Sequence, residues 1–177
     1  MSNLNLIIET ERLIIRPFNM EDIGPAYVMN LDPEVGQYTG DGGVVSKKEI
    51  ERRIVEDVLG DYVKHGFGRL AVELKGENKF IGFTGLKYLE DMNEVDLGYR
   101  FMKEYWGIGI ATESAMASVK YGFDTLGLKR IIAMALPENE ASIRVLEKLN
   151  FRFEEEIEED TQRVNLYSLM KQTKDSE

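Results

Sequence analysis

The sequence predicts a single α+β domain whose mixed β-sheet has about seven strands, flanked by about four helices. Three observations support this class. Strand-like and helical patterns follow one another in the order strand, two helices, three strands, helix, strand, helix and hairpin. The segment 128–136 is continuously apolar, as in a strand buried on both faces. Two glycines, Gly107 and Gly109, separate a strand-like segment from a helix start.

The strand-like segments are expected at residues 6–18 (with a turn near 9–11 that can divide it), 67–74, 79–86, 94–102, 128–136, 151–157 and 163–170. The helical segments share apolar spacing of three or four, and they follow Asn19, Ser46, Gly109 and Asn139. Pro25 should kink or shorten the first helix. Small residues form one face of the third helix, which can therefore lie close to the sheet; they are Ala111, Ala115, Ser118 and Gly122.

Length and composition limit the class of protein. The 177 residues suit one domain, expected to cover residues 1–171, with 172–177 as a frayed tail. No apolar run approaches the roughly 20 residues that span a bilayer, no signal-peptide pattern opens the chain, and there is no cysteine. A cytoplasmic location without membrane contact fits these features. The net charge of −10 argues against nucleic-acid binding and favours a cationic partner, although it can equally serve solubility.

The stretch Lys103-Glu-Tyr-Trp-Gly-Ile-Gly-Ile-Ala-Thr-Glu113 has the features of a phosphate-binding turn. Glycines before a helix leave backbone N–H groups unpaired at the positive end of the helix dipole. A P-loop would require Lys and Ser or Thr after Gly109, and a dinucleotide fingerprint would require glycine in place of Thr112. Taken alone, the two glycines are equally compatible with a tight turn that allows close helix packing.

Residues 94–113, together with Asn139-Glu-Ala-Ser-Ile-Arg-Val-Leu-Glu-Lys-Leu-Asn-Phe151, closely resemble the GNAT superfamily of acetyl-CoA-dependent N-acetyltransferases. The resemblance extends back to Glu11-Arg-Leu-Ile-Ile-Arg-Pro17, and it is strongest to the RimJ/RimL-like branch, which acetylates ribosomal-protein N-termini and related amines. It implies a GNAT fold in which the fourth and fifth strands splay apart. The pantetheine arm of the co-substrate, acetyl-CoA, would lie along the exposed edge of the fourth strand.

By this resemblance, the residues that hold acetyl-CoA lie at the end of the fourth strand, in the glycine turn and at two helix starts; they are Phe101, Met102, Lys103, Gly107, Ile108, Gly109, Ile110, Ala111, Thr112, Asn139 and Ser142. Lys103 is either an auxiliary phosphate contact or a solvated surface lysine. Glu104 replaces the Gln or Arg common in this motif, so the site is expected to depend on backbone amides. No metal is expected.

Acetyl transfer requires an amine that has lost its proton and a leaving thiolate that is met by a proton or a donor. Asp96 lies where many GNAT members have a strand glutamate that draws the proton away, although it can also be a solvated carboxylate beside the splay. Glu94, on the same face, is the alternative. Ser142 is expected near the CoA sulfur, or else as a first-turn residue that Asn139 caps. Leu146 replaces the family's tyrosine acid, which leaves Ser142, another tyrosine or solvent as the donor.

The acceptor is expected to be a primary amine, either a protein N-terminus or a small cationic amine such as a polyamine or aminoglycoside. Tyr38 and Asp41 lie in the glycine-rich loop, where the family's acceptor wall forms, and are expected to contact it. Relatives in this branch suggest a monomer or a homodimer. The alternative to an enzyme is a catalytically silent module that only binds CoA, which Glu104 and Leu146 would fit.

Overall fold

The computed structural model describes residues 4–39 and 45–173, so the predicted contact of Asp41 lies outside the described residues. Within them, eight strands form one sheet in the order β1-β2-β3-β4-β5-β6-β8-β7. The strands are β1 (Ile8–Glu9), β2 (Leu13–Pro17), β3 (Arg69–Leu74), β4 (Lys79–Leu89), β5 (Glu94–Phe101), β6 (Arg130–Ala135), β7 (Arg152–Glu159) and β8 (Gln162–Met170).

The described helices are α1 (Ile23–Leu31), α2 (Pro33–Gly36), α3 (Lys47–Arg52), α4 (Leu59–His65), α5 (Ile110–Asp124) and α6 (Glu140–Lys148). A π-helical turn, Arg53–Val58, joins α3 to α4, so residues 47–65 form one helical stretch. It begins at the predicted cap, where the Ser46 side chain accepts from the Glu49 amide, and it ends at Gly66 in the left-handed conformation. No described helix is long and apolar enough to cross a membrane.

The turn expected near residues 9–11 is present and divides the first segment into β1 and β2, which gives the sheet eight strands; the Thr10 hydroxyl accepts from the Leu13 amide at 3.1 Å. The first helix starts late: a 3-10 turn, Met20–Asp22, separates the Asn19 cap from α1. Pro25 therefore falls in the first turn of α1. Proline is tolerated there, because a backbone N–H in this turn would have no intrahelical acceptor and proline has no N–H.

The two faces of the sheet are covered by different helices. On one face α5 lies close to β4, and the small residues of α5 make this possible. The Thr84 and Ser118 hydroxyls are 3.1 Å apart, and a Cβ atom on Gly122 would come within 2.7 Å of Leu86 Cδ1. On the other face α1 and α3 bury an apolar cluster that includes Phe18 and Phe80. In β6, the strand predicted to be buried on both faces, consecutive side chains are indeed buried: Ile131, Ile132 and Ala133.

The predicted splay lies between β5 and β6. These strands are the parallel neighbours of the described sheet, and their register contains one pair, Asp96 with Ile132. Beyond that pair β5 continues to Phe101 while β6 pairs with β8 instead. Because α5 follows β5 and α6 follows β6, two helix N-termini lie at the end of the sheet where these strands separate. Ligands of open α/β sheets bind at such a gap.

Candidate active site

The connection from β5 to α5 forms the first part of the site. A 3-10 turn, Lys103–Tyr105, follows β5, and α5 begins directly after Gly109. Gly107 and Gly109 have φ angles of 73° and 85°. Residues with a Cβ atom are strained in this left-handed region, so both positions favour glycine. The predicted glycine turn is therefore a backbone requirement at these two positions.

The backbone amides of this connection point to a ligand. Within residues 4–39 and 45–173, none of the six N–H groups from Gly107 to Thr112 donates to a protein acceptor. Helical hydrogen bonding starts one residue later, from the Glu113 amide to the Gly109 carbonyl oxygen at 3.0 Å. The free donors coincide with the positive end of a 15-residue helix. Phosphate oxygens suit this arrangement, so the residues present fit a diphosphate.

Arg12 holds this turn from the other end of the chain. Its Nη1 donates to the Ile108 carbonyl oxygen at 2.8 Å, and its Nε lies 3.2 Å from Glu113 Oε1. The Thr10 hydroxyl donates to the second oxygen of Glu113 at 3.2 Å. The guanidinium therefore joins the turn to the first turn of α5 and adds a cation beside the amides. Sequence patterns did not indicate this role, because Arg12 and Glu113 are 101 residues apart.

The side chains around the turn have other partners. Lys103 Nζ contacts the carboxylate of Glu34, so this ammonium, for which the sequence left a phosphate contact or a solvated position open, lies against α2. Glu104 is exposed, and its carboxylate is 3.9 Å from Lys79 Nζ, which reduces the repulsion expected from it. At the end of β5, Trp106 Nε1 donates to the Phe101 carbonyl oxygen at 2.9 Å.

Asp96 is buried, and its carboxylate is ion-paired. Arg69 on β3 extends across β4 to place Nη2 2.6 Å from Asp96 Oδ2. The register explains how this is possible: Arg69 pairs with Gly85 and Gly85 pairs with Gly98, so two residues without side chains lie beneath the arginine. A Cβ atom on Gly98 would come within 2.6 Å of the guanidinium carbon. The expectation that Asp96 is a solvated carboxylate is therefore wrong.

The environment of Asp96 affects its protonation. Burial raises the pKa of Asp96 above the ordinary aspartate value, while the charge and hydrogen bond of Arg69 oppose that rise. Glu94 lies on the same face, as predicted, and its carboxylate is 2.9 Å from Arg130 Nε. Arg130 also binds Glu154 on β7. Both predicted carboxylates thus have an arginine partner. Asp96 is the one that belongs to the β5–β6 pair, opposite Ile132.

The start of α6 brings a third group to the splay. Asn139 Oδ1 accepts from the Ser142 amide at 3.2 Å, so the predicted cap is present. The Ser142 hydroxyl is 3.0 Å from the Tyr99 hydroxyl, which extends from β5 beyond the last β5–β6 pair. Burial raises the pKa of Tyr99 to about 12. Leu146, one turn further along α6, is 1% exposed and belongs to the core.

A cleft of about 190 Å³ lies between α1, α3 and the sheet face that carries Arg69. Apolar side chains, among them Phe18 and Phe83, form much of its wall. Its charged lining residues are four cations and one anion: Arg53, Arg69, Lys87, Arg100 and Asp57. Three of these cations are ion-paired with carboxylates outside the lining: Arg53 with Glu49, Arg69 with Asp96 and Lys87 with Asp61. Tyr38, the described member of the predicted acceptor wall, is 37% exposed and is not one of the residues that line this cleft.

Comparisons with known proteins agree with this geometry. Residues 12–152 match the family model of the acetyltransferase (GNAT) domain. The chain is 32% identical over 151 residues to the uncharacterized N-acetyltransferase YoaA of Bacillus subtilis, covering 84% of each protein. It is 34% identical over 93 residues to the spermidine N(1)-acetyltransferase of Escherichia coli, covering 50% of this chain and 47% of that protein.

The fold is shared with RimL, a ribosomal-protein α-N-acetyltransferase whose structure contains coenzyme A. The TM-score is 0.79 at 18% identity, over 93% of this chain and 98% of that one. An open sheet that splits beside an amide-lined helix start defines an acyl-CoA-binding transferase. The family match and the relative matched over 84% of its length are more specific: this chain belongs to the GNAT family and is an acetyl-CoA-dependent N-acetyltransferase.

Proposed function

We propose that this enzyme transfers acetyl directly from acetyl-CoA to a primary amine, with a protein N-terminus of the RimJ/RimL type or a small amine as the acceptor. The observation that supports this most strongly is a set of six backbone amides, from Gly107 to Thr112, that meet no acceptor among the described residues and lie beside the separated β5 and β6. No cysteine is available for a thiol-linked enzyme intermediate, which favours direct transfer.

The turn before α5 holds the diphosphate of the co-substrate through its backbone amides. Phe101 and Met102 lie at the free end of β5, so this edge can accept the pantetheine arm as an additional strand. Arg12 keeps the turn in place through the Ile108 carbonyl oxygen. A protein with net charge −10 can bind a polyanion in this way because backbone dipoles do not depend on surface Lys and Arg.

Asp96 receives the proton of the amine, directly or through water. An alkyl ammonium has a pKa of about 10, so at neutral pH the acceptor must lose a proton before it can attack. Burial favours a proton on Asp96, and Arg69 keeps the carboxylate in one orientation. Glu94 is the second candidate, but its bond to Arg130 directs it toward the other end of β5. Asp96 is therefore the preferred base.

Ser142 is the donor nearest the leaving sulfur. It occupies the first turn of α6, whose N-terminus lies at the splay, and Leu146 has no proton to donate. A hydroxyl and the positive end of a helix both stabilise a developing thiolate. In this proposal the serine therefore serves the role that a tyrosine at position 146 has in other members of the family.

The cleft that Arg69 lines is proposed to receive the acceptor, because the Arg69 guanidinium is paired with Asp96. An ammonium group that enters there would approach the Asp96 carboxylate. Both a protein N-terminus and a polyamine carry such a group. Spermidine is included among the acceptors to be tested, because half of this chain is similar to a spermidine acetyltransferase.

The proposal is tested first by calorimetry with acetyl-CoA and with CoA, and then by CoA release over a panel of amines. The panel contains peptides with free N-termini, the same peptides with blocked N-termini, and spermidine. We expect binding of both cofactor forms and turnover with free N-terminal peptides or with spermidine. Turnover with spermidine alone would reject the protein N-terminus as acceptor, and binding without turnover on any amine would indicate a silent CoA-binding module.

A further inference from the structure

Tyr99 is a half-buried tyrosine at the splay for which the mechanism above has no role. It lies on β5, three residues beyond Asp96, and its ring contacts apolar clusters on both sides of the splay. Its hydroxyl is 3.0 Å from Ser142 Oγ, a contact in which either oxygen can donate. It can also donate its one hydrogen to the Ser142 carbonyl oxygen at 3.2 Å, so the contact to Oγ is the shorter of two alternatives. The contact joins β5 to α6, the elements that border the gap between the diverging strands. Because position 146 is leucine, α6 itself contains no tyrosine.

We propose that Tyr99 is a positioning residue that donates its hydrogen bond to Ser142 Oγ and thereby directs the serine hydrogen toward the thioester sulfur. This inference rests on the proposed role of Ser142. A serine hydroxyl rotates freely and has one hydrogen, so its direction depends on which neighbour occupies its acceptor lone pairs. With Tyr99 as donor, the serine hydrogen is available to a third group. If Ser142 were instead the donor to Tyr99, the serine hydrogen would be engaged by the Tyr99 oxygen and would not be available to the substrate.

Tyr99 supplies a hydrogen bond and not a proton. Its pKa of about 12 is well above that of an ordinary thiol, roughly 8.5, so the phenolic proton stays on oxygen when the thiolate forms. During transfer the amine nitrogen bonds to the acetyl carbon, the carbon–sulfur bond breaks, and sulfur keeps the electron pair. An acceptor that enters as ammonium loses two protons, of which one leaves through Asp96 and the other is available to sulfur. Tyr99 and Ser142 are therefore unchanged at the end of the cycle.

The test uses the absence of cysteine from the chain. In the complex with CoA, the thiol of the ligand is the sole thiol present, so its ionisation can be followed by ultraviolet thiolate absorbance. The complex with desulfo-CoA, which lacks the thiol, provides the reference for tyrosine absorbance. We expect the pKa of bound CoA to be lower than that of free CoA. Tyr99→Phe should raise it by about one unit, because a donor chain to a charged sulfur has been broken.

Three comparisons make the result decisive. Ser142→Ala should raise the thiol pKa as much as Tyr99→Phe does, and the double variant should show no further rise, because the two hydroxyls act as one chain. Tyr88→Phe is the matched control. Tyr88 lies on β4, the neighbour of β5, and its hydroxyl donates to Asn93 Oδ1 at 2.7 Å. Removal of this hydroxyl should not change the thiol pKa of bound CoA. CoA affinity and thermal unfolding are measured for every variant. If Tyr99→Phe does not fold, 3-fluorotyrosine at position 99 replaces it: this more acidic donor should lower the thiol pKa, and an unchanged or raised thiol pKa would reject the role of Tyr99.

The outcomes separate the two levels of the proposal. Wild-type protein that does not bind CoA would reject the proposed function. Wild-type protein that binds CoA while Tyr99→Phe leaves the thiol pKa unchanged or lowers it would reject the role of Tyr99 alone. A rise with Tyr99→Phe that adds to the rise with Ser142→Ala would also reject it, because independent donors would then be present.

Discussion

Replacing Gly107 by alanine tests whether the turn before α5 binds the diphosphate. Gly107 has a φ of 73°, and a Cβ atom at this position would meet no atom within 4 Å. Gly127, in the connection from α5 to β6, has a φ of 69° and is equally open. The two positions thus impose the same backbone strain without steric contact. Gly127→Ala is therefore a matched control for Gly107→Ala.

The expected magnitudes follow from this pair. A residue with a Cβ atom in the left-handed region costs roughly 1–2 kcal/mol, and each kcal/mol lowers the Tm of a domain of this size by about 2–4 °C. Both variants should therefore lose about 2–8 °C of thermal stability. Only Gly107→Ala should weaken CoA binding as well. Alanine keeps its backbone N–H, but relief of the strain at φ 73° turns an amide of the turn away from the phosphate. One hydrogen bond to a charged phosphate lost in this way costs about 1.5–3 kcal/mol, which corresponds to a roughly tenfold to hundredfold increase in Kd.

Thermal unfolding and calorimetry with CoA measure the two effects separately. The ratio of the Kd values of the two variants isolates the effect of the turn from the loss of stability that they share. If Gly107→Ala and Gly127→Ala bind CoA equally, the amides of the turn do not hold the diphosphate. If only one of the two variants lost Tm, alanine would not impose the same backbone strain at the two positions, and the control would not be matched.

The remaining predictions concern three ionic contacts. Arg12→Gln should raise the Kd for CoA about threefold to tenfold, because its half-exposed bonds to the turn and to Glu113 are lost, as calorimetry would show. Asp96→Asn should lower turnover roughly a hundredfold or more without changing CoA affinity, as steady-state kinetics and calorimetry on one sample would show. Hydrogen bonds from Arg130 hold the pKa of Glu154 at about 2, below its ordinary 4.5, so this contribution to stability is present above pH 4.5 and lost as the pH falls toward 2. Glu154→Gln should therefore unfold more easily at neutral pH and show a smaller further loss on acidification, as denaturant titrations across that range would measure.

Two of these variants have a control of the same chemistry. Arg52→Gln removes exposed ion pairs of α3 and should leave CoA binding unchanged. Asp61→Asn removes a carboxylate that pairs with Lys87 at 3.6 Å and should lower turnover far less than Asp96→Asn does. Unchanged turnover in Asp96→Asn would remove that residue from the mechanism, and an acid-unfolding curve of Glu154→Gln parallel to that of the wild type would contradict the pKa assignment.

Much of the fold could be predicted because its signals are local. The caps at Asn19, Ser46 and Asn139 each act within three residues, and Gly66 ends its helix through its own φ angle. The turn with Gly107 and Gly109 is equally local, so the proposed phosphate-binding site could be located from the sequence. Strand number was less certain, because the turn at Thr10 that divides the first strand depends on a hydroxyl contact rather than on a change of hydrophobic period.

The contacts that complete the candidate site could not be predicted in this way. Arg12 meets Glu113, Arg69 meets Asp96, and Tyr99 meets Ser142 across 101, 27 and 43 residues of sequence. Each contact depends on the order and register of strands: Arg69 reaches Asp96 because Gly85 and Gly98 are aligned beneath it, an alignment that exists only once three strands have paired. The sequence by itself therefore determined the helices, most of the strands and the turn with free amides, because backbone preferences and hydrophobic period act over a few neighbouring residues. Only the tertiary structure decided which charged and hydroxyl groups meet around the splay, because those meetings depend on register and on packing between distant segments.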